Sequence, residues 1–140
     1  MYRTILTILL ALLLCAAALG ETPTESVEPE ATPEPARGYV LVTTSTRMGF
    51  LPLPETGEYT YHIEQILPDG TPAENVVHVT PEGAYMEDST CENHDCIQQG
   101  EVTLDNRKDR VLGNMIICLP NQVTLQLFTP EEVVENFGSK

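Results

Sequence analysis

Cysteine is the residue type in this chain with the most chemistry to offer. Cys91 and Cys96 bracket the run Cys91-Glu92-Asn93-His94-Asp95-Cys96, and Cys118 lies downstream in the apolar run Met115-Ile116-Ile117-Cys118-Leu119. A loop with four residues between its cysteines can close as a disulfide if the chain passes through an oxidising compartment, and a Cys91–Cys96 staple is the first expectation. Cys118 is then the odd thiol, since a cysteine in an apolar strand ordinarily behaves as a small hydrophobe. Two further chemistries open if that strand carries its sulfur to the loop. Cys91, His94, Cys96 and Cys118 would form a three-cysteine, one-histidine set of the kind tetrahedral zinc accepts, although the spacing is not the paired short-spacer pattern of zinc ribbons. Alternatively, the loop dithiol and the third thiol could exchange partners through mixed disulfides, without the two-residue spacer and backing helix of thioredoxin-like sites.

The other candidate residues carry less. His62 and His78 fall on strands, and the expectation is two exposed or rim histidines. Ser89-Thr90 lacks the glycine elbow of an acyl-transfer nucleophile. Glu92 and Asp95 read as solvated loop acids, and the calcium-loop pattern of alternating acids and a glycine is absent. There is no phosphate-cradling glycine loop and no paired-carboxylate motif. No catalytic constellation and no cofactor site are therefore expected.

Strands must position the cysteines, because from Tyr39 onward the dominant hydrophobic period is two. Residues 39–44, 58–67, 75–80, 84–88, 101–104, 112–119 and 123–128 read as short strands, with Val123, Leu125 and Leu127 inward. Leu67-Pro68-Asp69-Gly70 and Leu119-Pro120-Asn121-Gln122 read as tight turns. Residues 101–104 and 112–119 are expected to pair as a hairpin around a polar tip at 105–110. Thr129-Pro130-Glu131-Glu132 has the N-cap, first-turn proline and N3 glutamate of a helix start, with Val133, Val134 and Phe137 on one face and Gly138 as the stop. The fold class expected is mainly β: a small antiparallel β-barrel or sandwich of about seven short strands with a short C-terminal helix.

Ahead of this unit stand two different segments. Residues 1–20 combine a basic start at Arg3 with the uncharged run Ile5 to Leu19 and a small-x-small site at Ala18-Leu19-Gly20, which reads as a signal peptide. An uncleaved membrane anchor is the alternative, and lipidation at Cys15 a third, disfavoured by Leu14 before it. Residues 21–38 form a Pro/Glu/Thr-rich linker too poor in apolar side chains to fold and extended by proline and like charge. The folded domain is assigned to 39–140. The chain carries 21 acidic against 7 basic side chains, a net charge of −14, a field that repels phosphate backbones and excludes nucleic acid as a partner.

Several runs resemble the NusG domain II family, also called DUF1312. They are Asn75-Val76-Val77-His78-Val79, Gly83, the Cys91–Cys96 loop with Ile97, Gln99-Gly100-Glu101-Val102, and Ile116-Ile117-Cys118-Leu119-Pro120-Asn121. Glu92 stands where the family often has proline. The resemblance implies a fold similar to the β-domain inserted in some NusG factors, and stand-alone exported proteins of Gram-positive bacteria. It does not imply transcription elongation, which resides in an N-terminal domain and a KOW module. The resulting expectation is an extracytoplasmic module, secreted or tethered to the outer face of the membrane by its N-terminus. It would bind or scaffold an unknown cell-envelope protein; the alternative is a thiol-redox or electron-transfer accessory using Cys91, Cys96 and Cys118.

Overall fold

The computed structural model describes residues 36–138. The expected export segment, Cys15 and nearly all of the linker lie outside the described residues. No helix among the described residues is long and apolar enough to cross a membrane.

Alternating burial along the strands builds two four-stranded antiparallel sheets. One has the order β2-β1-β8-β7, from Met48–Pro52, Tyr39–Thr43, Val123–Phe128 and Met115–Cys118; the other has the order β3-β4-β5-β6, from Tyr59–Ile66, Pro72–Val79, Gly83–Ser89 and Val102–Thr103. Val40, Val42, Ile116, Val123, Leu125 and Leu127 of the first sheet join one core with Ile63, Val77, Val79, Met86 and Val102 of the second. The sheets do not close on each other, so the sandwich half of the expectation holds and the barrel half does not. Most of the stabilisation lies in these side chains, since burying each branched aliphatic group is worth about 1.5–3 kcal/mol.

The expected turns form. Gly70 N–H donates to Leu67 O at 2.8 Å, and Asp69 caps Thr71 N–H; Gln122 N–H donates to Leu119 O at 3.1 Å. Gly83 begins β5 where no other residue fits, because a Cβ there would lie 1.8 Å from Val102 O.

Three features differ from the sequence reading. An eighth strand, β2, arises from Met48-Gly49-Phe50-Leu51-Pro52, whose glycine and proline disguise an edge strand that pairs on one side only. The expected hairpin of 101–104 with 112–119 is absent: β6 pairs β5 while β7 pairs β8, so the intervening turns carry the chain from one sheet to the other. Alternation fixes which face is buried but not which strand is the neighbour. A helical turn, α1 (Asp95–Gln98), lies inside the cysteine loop.

The terminal helix, α2 (Pro130–Phe137), forms as read. Thr129 Oγ1 accepts from Glu132 N–H while Glu132 Oε2 accepts from Thr129 N–H at 2.8 Å, a complete capping box, and the helix ends at Gly138. Phe137 packs edge-on against Phe50 and Phe128, at ring separations of 5.3 and 5.6 Å, whereas Val134 points to solvent.

Candidate functional site

β5 ends at Ser89, and the chain then leaves the second sheet to form the cysteine loop. The Ser89 hydroxyl accepts from Cys91 N–H at 3.2 Å, which fixes the start of the loop. At its far end, the Gln99 side chain donates to Ile117 O at 2.7 Å and accepts from Ile117 N–H at 2.8 Å. Its amide thus pairs with β7 as another strand would. Arg110 donates to Gln99 O and Met115 O, both at 2.8 Å, and braces the same junction. The loop is thereby clamped over the end of the first sheet, where Cys118 sits.

All three expected sulfurs meet. The Cys91, Cys96 and Cys118 Sγ atoms lie within 4.8 Å of one another, all on buried residues, and the Cys91–Cys96 separation is 3.6 Å. The staple anticipated in the loop is thus a pair of free thiols in contact, well beyond the roughly 2.05 Å of a disulfide. His94 does not join them. It is exposed, at φ 52° in the left-handed region before α1, so the three-cysteine, one-histidine set is not assembled. Asp95 and Glu92 are exposed loop acids, as expected.

A polar network missed from the sequence surrounds the sulfurs. Asn75, Ser89 and Asn121 are the buried polar residues among those described. Asn75 Nδ2 donates to Ser89 Oγ at 3.0 Å, Asn121 Nδ2 donates to Asn75 Oδ1 at 2.9 Å, and Ser89 Oγ lies 3.6 Å from Cys118 Sγ. Asn75 has the same parity on β4 as buried Val77 and Val79, and a polar residue in that phase was the available signal. Ser89 is a bridge of this network.

These groups divide the thiols electrostatically. Burial pushes the Cys118 thiol up, but hydrogen bonds from Asn75, Ser89, the Asn121 backbone and the Cys96 thiol outweigh it and hold it below the ordinary value. Burial pushes the Cys96 thiol up to about 12, reinforced by its contacts with Cys118 and Cys91 and opposed by Ser89. Cys118 is thus the favoured thiolate and Cys96 a proton donor to it. A surface cleft of about 220 Å³, lined in part by Cys96, Cys118, Leu119 and Pro120, approaches this pair from outside.

The two strand histidines lie apart from the cluster. His62 is exposed, 3.2 Å from Glu74. His78 is more enclosed than expected: it stacks on Tyr85 at 4.8 Å, with Nε2 2.9 Å from Glu58 and Nδ1 3.4 Å from Glu87.

A family model for NusG domain II matches residues 5–130. Among solved structures, the solution structure of the Lin0431 protein from Listeria innocua is similar at 15% identity and a TM-score of 0.52, over 74% of this chain and 78% of that one. A DUF1312 family protein from Enterococcus faecalis is similar at 14% identity and a TM-score of 0.48, over 66% of this chain and 98% of that one. Another from Ruminococcus gnavus has 23% identity and a TM-score of 0.40, over 65% and 97%. No curated protein matches the sequence.

Proposed function

The chain belongs to the NusG domain II family, small domains of unknown function, and from that premise we propose that this member is an extracytoplasmic thiol–disulfide exchange module. The observation that supports the reading is the convergence of three buried sulfurs within 4.8 Å beside a hydrogen-bonded serine. Cys118 is the attacking sulfur. Its thiolate displaces one sulfur of a disulfide substrate that enters the Leu119–Pro120 cleft, forming a mixed disulfide and releasing one substrate thiolate. Cys96 loses its proton and attacks the Cys118 sulfur, which closes a Cys96–Cys118 bond and expels the second substrate thiolate. Two electrons and the Cys96 proton pass from the domain to the substrate, and the other departing thiolate takes its proton from solvent.

Rapid mixing of the reduced chain with an aromatic disulfide reporter tests this. C118S should slow exchange by roughly tenfold or more. C96S should accumulate the mixed disulfide on Cys118, visible as half the reporter's mass added to the chain, while C91S should still complete the cycle. A C118S chain that reacts as fast as the parent would remove the proposal.

A binding or scaffolding role has support from a separate place. Edge strand β2 exposes Met48 and Phe50 beside Tyr61, at a free sheet edge suited to strand addition. Saturable binding to cell-envelope fractions that is lost in F50E would support it; binding unaffected by F50E would count against it.

A further inference from the structure

We infer that the reduced Cys91–Cys96–Cys118 cluster is a binding site for one thiophilic closed-shell cation, with copper(I) the favoured occupant. The sulfur separations carry the argument. A disulfide requires one pair to close to roughly 2.05 Å. A cation needs no such closure, because an ion equidistant from three sulfurs separated by 3.6 to 4.8 Å sits about 2.1–2.8 Å from each, which brackets the roughly 2.3 Å of a zinc–thiolate bond. Seating a metal therefore asks for a contraction of about half an ångström at most at each sulfur.

The donor set selects the class of ion. It consists of three sulfurs, and among the described residues no imidazole or carboxylate joins them. Thiolates of this kind favour copper(I) and zinc over harder ions. Zinc in a closed site wants four ligands, and His94, the candidate fourth, is turned out to solvent. Copper(I) is satisfied by three; zinc would have to take its fourth ligand from solvent through the cleft beside Cys96 and Cys118.

The surroundings supply what a metal–thiolate centre requires. Ser89 Oγ contacts Cys118 Sγ and is held in turn by Asn75 and Asn121, the arrangement by which an outer layer of hydrogen bonds orients ligands and offsets their charge. Cys118 sits at the end of a sheet strand, and Gln99 pins the loop bearing the other two sulfurs to that strand. The ligands are thus brought together before any ion arrives. Binding displaces a proton from each thiol that coordinates as thiolate.

The inference shares its sulfurs with the exchange reading and depends on their reduced form, but the two are tested separately. The reduced full-length chain is titrated anaerobically with copper(I) buffered by a competing chelator and, in a parallel arm, with zinc. Native mass spectrometry, thiolate-to-metal absorption and proton release are recorded, and alkylation mapping identifies the protected thiols. One copper(I) per chain is expected, with Cys91, Cys96 and Cys118 protected from alkylation. C91S, C96S and C118S should each weaken binding by about a hundredfold. One zinc per chain with the same three thiols protected would also support the site, with solvent as fourth ligand. Absence of both metals from the reduced chain, protection that leaves out Cys118, or C118S binding as tightly as the parent would overturn it; thiol mapping of the unsubstituted chain keeps the test valid if a variant misfolds. A chain that loads metal but does not exchange disulfides removes only the exchange reading, and the converse removes only this one.

Discussion

Asn75 shows how much of the sulfur chemistry depends on residues that carry none. Its amide donates to Ser89, which contacts Cys118, and it accepts from Asn121. N75A should shift the pH profile of Cys118 alkylation to higher pH, read by mass-resolved iodoacetamide labelling, and lower stability by about 1 kcal/mol for each of the two hydrogen bonds it deletes, the one given to Ser89 and the one taken from Asn121, which keeps Glu74 O, Ser89 Oγ and Thr90 Oγ1 as acceptors. His78 gives a pH effect of definite sign. The Glu58 carboxylate, accepting from Nε2 at 2.9 Å, chiefly raises its pKa above the ordinary 6.5, against burial and with help from Glu87. The added stability is fully present below the unfolded value and is lost as pH rises through the folded one. Urea midpoints of the parent should therefore exceed those of H78Q most at the acidic end of a series from about pH 5.5 to 8, and a constant difference would exclude the effect. The cysteines were legible as chemistry, but their meeting was legible only as a possibility. Nothing in the spacing tells that His94 occupies a left-handed turn facing away, since backbone conformation of that kind belongs to the fold and not to the residue.

At the scale of elements, the short helix α2 was readable to the residue because its instructions are local. The Thr129–Glu132 box and the stop at Gly138 lie within ten positions. Arg107 adds an ion pair to Glu132 from the connection between the sheets. T129A should cost about 0.5–2 kcal/mol, measured by chemical denaturation, and should loosen Phe137 from Phe50 and Phe128 before the sheets give way. β6 and β7 were misread as partners for the opposite reason, because pairing is decided across the molecule by which sheet has a vacant edge. Gln99 is an intermediate case: its side chain substitutes for a strand along β7, and polar composition alone does not announce that. Q99A should raise amide exchange at Ile117 and increase the alkylation rate of Cys96, both read by mass spectrometry, while the β4–β5 amides stay protected.

For the whole molecule, period-two patterning announced the layered β architecture, and the count erred only by the edge strand β2. The sheets draw their sulfurs from separate sources, Cys118 from the first and Cys91 and Cys96 from the loop that follows the second. Oxidation to a Cys96–Cys118 bond would tie those layers together and close a far longer segment than Cys91–Cys96 does, worth about 3 kcal/mol on chain-entropy grounds. The oxidised chain should accordingly unfold at higher urea than the reduced one, with C118S abolishing the difference. The registers carry one more consequence. Tyr39 pairs with Phe128 where the folded region begins, whereas Cys118 pairs with Val123 at the other end of β8, about 17 Å away at roughly 3.4 Å per residue. The start of the folded region and the sulfurs thus occupy opposite ends of β8, so a bulky label fixed beside Tyr39 would leave access to the thiols unobstructed.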